Sequence, residues 1–161
     1  MPLRSDWSRS TCPIARALDL VGDPWLILIL REALQGMRRY EQFRTKLHVA
    51  DNVLSRRLQA MVDAGLLERV PYRAEQRTHH EYRLTDAGRD LLPMVHSLVL
   101  WGEKHTVPPA EGGHMRIVHT SCGQASTSPD VCSHCGVALR PADVAWHRPW
   151  RSPELTALSS G

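Results

Sequence analysis

The chain has 161 residues, 42% hydrophobic and 23% charged, with a formal charge of +3. This balance describes a soluble globular protein, long enough for one cored domain plus a small appendage. The longest apolar run, WLILIL at Trp25 to Leu30, is too short to cross a bilayer, so no membrane role is expected.

The first ten residues, MPLRSDWSRS, lack the apolar segment of a secretory leader and read as a loose arm, so a cytoplasmic protein is expected. Pro13 suits the first position of a helix that runs through Ile14 to Leu20 and ends at Gly22. Cys12 therefore sits at or just before a helix N-terminus. Asp23 and Pro24 form the cap and first turn of a second helix. From Trp25 to Leu34 it is apolar nearly all round, which predicts a buried central helix closed by Gly36.

Tyr40 to Leu66 reads as two helices joined by a tight turn. The second spans Asp51 to Ala64 and stops at Gly65. Leu54, Leu58, Met61 and Val62 make its apolar stripe. Asn52, Ser55, Arg56 and Gln59 share the opposite face, with the amides, hydroxyl and guanidinium that hydrogen-bond base edges in a major groove. An ordinary amphipathic surface helix is the bland alternative. Between Arg38 and Arg57, six basic residues (Arg38, Arg39, Arg44, Lys46, Arg56, Arg57) face only Glu41 and Asp51, a local charge that suits a phosphate backbone or is merely solvated.

Leu66 to Arg73 and Glu81 to Leu84 read as two antiparallel strands around a polar tip, AEQRTHH, which carries Arg77, His79 and His80. A helix-turn-helix followed by a basic hairpin is a winged helix, whose tip can reach phosphates or a minor groove. Adjacent histidines on a hairpin point opposite ways, which disfavours His79 and His80 as joint metal ligands. Thr85 caps a long helix from Asp86 to His105, with Leu91, Val95, Leu98 and Trp101 on one stripe and Gly88 and Pro93 as awkward members. That stripe asks for a partner helix, from a second subunit or from the first helix of the same chain.

VPPAEGG reads as a linker, which places residues 107–114 between a DNA-binding and dimerisation domain at 10–106 and a small module at 115–150. Residues 151–161 are expected to be disordered. Within the module, His119-x-x-Cys122 and Cys132-x-x-Cys135 form two turns, each followed by glycine. Thiolates and an imidazole on facing knuckles make a tetrahedral zinc site, which predicts structural zinc on His119, Cys122, Cys132 and Cys135. His134 or water could replace His119, and a Cys132–Cys135 redox pair or an unfilled ribbon are the competing readings. The expected architecture is α+β, mainly α: a winged helix-turn-helix with a two-stranded wing and a zinc-ribbon-like module. No phosphate loop, nucleophile elbow or paired acidic motif is present in the sequence, so no enzyme is expected.

CPIARALDLVGDPWLILILREAL, RRYEQF, LSRRLQAMVDAGLLER, EYRLTDAGRDLLP and Trp101-Gly102-Glu103 occur in this order. Together they resemble the HxlR-type branch of MarR-like winged-helix transcriptional regulators over Cys12 to His105. The resemblance implies a homodimer bound to double-stranded DNA, with the terminal helices at the dimer interface. It places Asn52, Val53, Ser55, Arg56 and Gln59 on the DNA-reading helix, Arg57 near backbone, and Arg73, Arg77 and His79 on the wing. It also makes Cys12 a candidate redox sensor, with an oxidant or small molecule as effector. A Ser, Thr or Asp commonly caps the reading helix in this family, whereas Ala50 and Asp51 stand here. A thiol- or zinc-responsive sensor and a protein-docking module are the alternative functions.

Overall fold

In the computed structural model, residues 6–159 are described. Helix α1 (Pro13–Val21) starts at its proline. Helix α2 (Pro24–Leu34) is capped by the Asp23 carboxylate, which accepts from the Trp25 amide at 2.9 Å. Leu26, Ile29, Leu30, Ala33 and Leu34 bury it as the central helix. Helix α3 (Tyr40–Leu47) is entered where Gln42 Oε1 accepts from the Arg38 and Arg39 amides. Helix α4 (Asp51–Asp63) packs inward through Leu54, Leu58 and Met61. Gly65, at φ +71°, ends it: the Leu66 amide reaches Met61 O and the Gly65 amide reaches Val62 O, satisfying the last carbonyls.

Strands β1 (Leu67–Ala74) and β2 (Arg77–Leu84) pair antiparallel from Leu67↔Leu84 to Ala74↔Arg77. Only Glu75 and Gln76 form the turn, both at positive φ. The ladder therefore runs further than the polar tip expected from AEQRTHH, because a two-residue turn of this hand matches the strand twist.

The single helix expected over Asp86 to His105 is two: α5 (Asp86–Arg89) and α6 (Leu92–His105). Pro93 has no amide to continue α5 but suits the first turn of a new helix. Gly88 is required where it stands, because a Cβ there would lie 2.3 Å from Leu66 O.

A four-stranded sheet follows in the order β4-β3-β5-β6, from β3 (Arg116–His119), β4 (Ala125–Ser126), β5 (Val144–His147) and β6 (Leu155–Ala157). This corrects the expectation of a disordered tail. Leu155–Ala157 pair with β5, and Leu158 is buried. Adding a strand satisfies the β5 edge, and the apolar Leu158 gains a place in the core. Residues 160 and 161 lie outside the described residues.

The linker does not separate the two parts. Ile117, Cys132, Leu139, Val144, Trp146 and Leu158 belong to the same apolar cluster as Leu30, Leu54 and Leu92. Polar contacts sew the seam. The Trp146 indole donates to His96 Nε2 at 3.0 Å, and His96 Nδ1 meets Pro129 O at 2.8 Å. Arg148 donates to Gln35 Oε1, the Ser159 amide to Leu34 O, and the Met115 amide to Glu103 Oε1. Buried Glu32 faces Arg31 at 2.7 Å and Arg151 at 3.4 Å, so its charge is paired.

Candidate nucleic-acid interface and metal centre

Helix α4 turns Asn52, Ser55, Arg56 and Gln59 outward, all exposed, with Val53 half-buried beside them. The side chains of Asn52 and Arg56 have no hydrogen-bond or ion-pair partner among the described residues. Gln59 instead donates to Asp63 one turn on, at 2.8 Å. Ala50 occupies the cap position without a side-chain bond, and Asp51 begins the helix. The first turn of α4 is instead tied to α3. Tyr40 Oη donates to Asp51 O at 3.1 Å and receives the Ser55 hydroxyl at 3.3 Å, while Arg44 pairs with the Asp51 carboxylate at 2.8 Å. Arg57 is not aimed with Arg56: it is half-buried in an ion pair with Asp23 at 2.7 Å, tying α4 to the start of α2.

The wing residues divide between two faces, because side chains alternate along a strand. Register places Tyr72 beside His79 and Ala74 beside Arg77 on one face, and Arg73 beside Thr78 on the other. Tyr72 stacks on His79 with centroids 5.6 Å apart, and the Arg39 guanidinium lies 4.7 Å from the Tyr72 ring centre. Arg39, His79 and Arg77 thus share a face that runs from α3 to the wing tip. Glu81 on the same face is neutralised by Arg83 at 2.7 Å, a bond that holds its carboxyl below the usual range. Tyr40 and Tyr72 were missed in the sequence. Tyr72 was findable in principle, since it alternates with Val70 along β1 and so shares its side of the strand.

Cys12 precedes α1 and is exposed as a free thiol, its amide bonded to Ser10 Oγ at 3.2 Å. Arg16 donates to the Ser10 and Thr11 carbonyls rather than pointing at the sulfur.

In the C-terminal part, the ligand atoms of His119, Cys122, Cys132 and Cys135 all lie within 4.8 Å of one another. The two turns are built alike. Gly123 and Gly136, at φ +69° and +73°, return their amides to His119 O and Cys132 O at 2.8 Å each. Only glycine enters that conformation without strain. His119 Nδ1 lies 3.3 Å from Cys122 Sγ and 3.2 Å from Cys135 Sγ, and the Cys122 and Cys132 sulfurs are 3.7 Å apart. The edge of a tetrahedron with bonds of about 2.3 Å is about 3.8 Å, so the donor set fits around one metal ion. The Cys135 and His134 amides point at Cys132 and pull its thiol down to about 6. At Cys122 the Gln124 amide pulls down, but burial and the adjacent Cys132 and Cys135 thiols outweigh it and push the thiol up. A group ready to be a thiolate beside an imidazole could hold such an ion. His134, the alternative ligand, is exposed and outside the cluster.

The model of the HxlR-like helix-turn-helix family matches residues 20–109. The HTH-type transcriptional regulator Rv3095 of Mycobacterium tuberculosis is 41% identical over 131 residues, 81% of this chain and 82% of that protein. The crystal structure of PA1607, described as a candidate transcription factor, is similar with a TM-score of 0.70 and 38% identity. It covers 86% of this chain and 96% of its own, so the likeness extends past the winged helix. The redox regulator HypR in its oxidised form is similar with a TM-score of 0.54 and 28% identity, over 60% of this chain and all of HypR. With an outward α4, a two-stranded wing and these relatives, the chain belongs to the HxlR-like helix-turn-helix family and is a transcriptional regulator of helix-turn-helix type.

Proposed function

We propose that the protein works in the cytoplasm as a homodimer that reads an inverted-repeat operator in double-stranded DNA. Its half-sites lie about one helical turn apart, ~10 bp. The observation that carries this reading is the outward face of α4, where the side chains of Asn52 and Arg56 are exposed without partners among the described residues. Ser55, Val53 and Gln59 border them, Arg38 and Arg39 lead into α3, and Arg39, Arg77 and His79 line one side of the wing with Arg73 on the other. Arg57 acts on DNA only indirectly, through the placement of α4. Dimerisation is supported by apolar side chains left uncovered on the terminal helices: Ile14 and Leu18 are 69% and 50% exposed, and Leu98 and Trp101 are 51% and 61% exposed. His119, Cys122, Cys132 and Cys135 hold a structural zinc, which suits a closed set of three thiolates and one imidazole. When bound, zinc would cross-link the turn between β3 and β4 to the turn between β4 and β5, while the chain's own residues do the reading.

A second reading gives the regulator a thiol input. The observation favouring it is the exposed Cys12 at the start of α1, beside the apolar surface assigned to the dimer, together with the likeness to a redox regulator. An oxidant would then be the effector.

Footprinting on the DNA adjoining the protein's own gene, with sedimentation of the complex, tests the main reading. A protected inverted repeat holding two chains is expected. Protection by a single chain, or retention independent of sequence and salt, would overturn it.

A further inference from the structure

Tyr72 stands at the junction of the helix-turn-helix and the wing. Its ring carries the Arg39 guanidinium at 4.7 Å and stacks on His79 at 5.6 Å with an interplanar angle of 28°. Arg39 is the residue from which α3 departs, and its amide is fixed by Gln42 Oε1 at 2.9 Å. Its backbone is therefore set, and the aromatic face sets its side chain. Tyr72 is half-buried while Arg39 and His79 are exposed, so the ring forms a floor with two polar groups above water.

We propose that Tyr72 is a positioning residue for DNA binding: it holds Arg39 extended toward a backbone phosphate and couples that contact to the wing through His79. The proposal rests on the DNA-reading function above. A free arginine loses much rotamer freedom when it meets a phosphate, and a guanidinium already lying on an aromatic face has lost part of it beforehand. The ring leaves the guanidinium edge, with its N–H donors, available for an anion, because cation and ring meet face on. His79 continues the same surface toward Arg77 at the tip, so one aromatic floor joins a helix-entry contact to a wing contact. Arg73, on the other side of β1, is outside this array.

The test uses the full chain, wild type and variants, on a mixed-sequence duplex of about 25 bp, with affinity measured by fluorescence anisotropy across a salt series. Each phosphate contact contributes about 0.9 to the slope of log affinity against log salt. Tyr72→Leu keeps apolar bulk but removes the aromatic face, and Tyr72→Phe keeps the face. Tyr72→Leu is expected to flatten the slope by up to about 0.9 and to weaken binding on the order of 5- to 10-fold at 0.1 M salt. Tyr72→Phe is expected to retain wild-type slope and affinity. Arg39→Ala should match Tyr72→Leu, and the double variant should lose little more than either. A wild-type slope in Tyr72→Leu, or additive losses in the double variant, would overturn the role of Tyr72. If the wild-type chain itself shows no salt-dependent binding, it is the DNA-reading function that fails. Circular dichroism of each variant confirms that the slope is read on folded protein.

Discussion

His96 offers the sharpest probe of the seam between the winged helix and the C-terminal sheet. The ring is fully buried, accepts the Trp146 indole N–H on Nε2, and so carries its own proton on Nδ1 toward Pro129 O. His96→Leu leaves a buried indole donor and a carbonyl acceptor without partners, each costing about 1–3 kcal/mol. The burial of leucine returns roughly 1.5–3 kcal/mol, so a net loss of about 0.5–3 kcal/mol is expected. At about 2–4 °C per kcal/mol for a chain of this size, the melting temperature should fall by roughly 1–12 °C at equal protomer concentration. Burial also holds His96 below its ordinary value, so the unfolded chain binds this proton first as pH falls. The contribution of neutral His96 is therefore complete above the unfolded value near 6.5 and shrinks as pH drops below it. One such group tilts stability by at most about 1.4 kcal/mol per pH unit. Thermal unfolding of wild type and His96→Leu at pH 7.5, 6.5 and 5.5 reads both effects. The gap between them should narrow toward acid. A variant that melts with wild type at pH 7.5, or a gap that widens on acidification, would refute the bonding described at His96.

Four further outcomes are expected. Arg56→Ala should cost about 1–3 kcal/mol of discrimination between operator and mutated operator, measured by competition binding, because a base contact carries sequence information. Arg57→Ala should leave discrimination unchanged and lower stability by about 1 kcal/mol in a denaturant titration, since its partner is the half-exposed Asp23. Elemental analysis of protein purified without added metal should find one zinc per chain. Less than about a tenth of an equivalent, with all thiols reduced, would remove the metal from the proposal. Cys12→Ser should retain operator binding at a diamide dose that abolishes it in wild type, with zinc content followed in both. Equal loss in the two proteins would exclude Cys12 as the sensor.

The helical part was legible because its signals are local. Asp23-Pro24, the apolar run after it, the α4 stripe and Gly65 each act within a turn or two of chain, and all appear where periodicity puts them. The two turns that carry His119, Cys122, Cys132 and Cys135 were legible for the same reason, since each is closed by its own glycine. Failures came where a distant residue decides. Nothing near Arg57 in the sequence shows that Asp23 waits for it. The wing tip looked longer than it is because Glu75 and Gln76 are not the usual residues of a two-residue turn. Pro93 looked like a bend inside one helix, and the break became visible only with Gly88 pressed against Leu66 O. The tail read as disordered because SPELTALSSG is polar and short of apolar residues, yet Leu155–Ala157 pair on an open strand edge and Leu158 enters the core.

The closure of the chain on its own central helix bears on how the protein is made. Gln35 and Arg148 are bonded across 113 residues, and Leu34 next to Gln35 waits for Ser159. Contacts this far apart raise contact order and slow folding. During synthesis, α2 therefore leaves the ribosome long before its last neighbours exist, with part of its surface uncovered until β5 and β6 arrive.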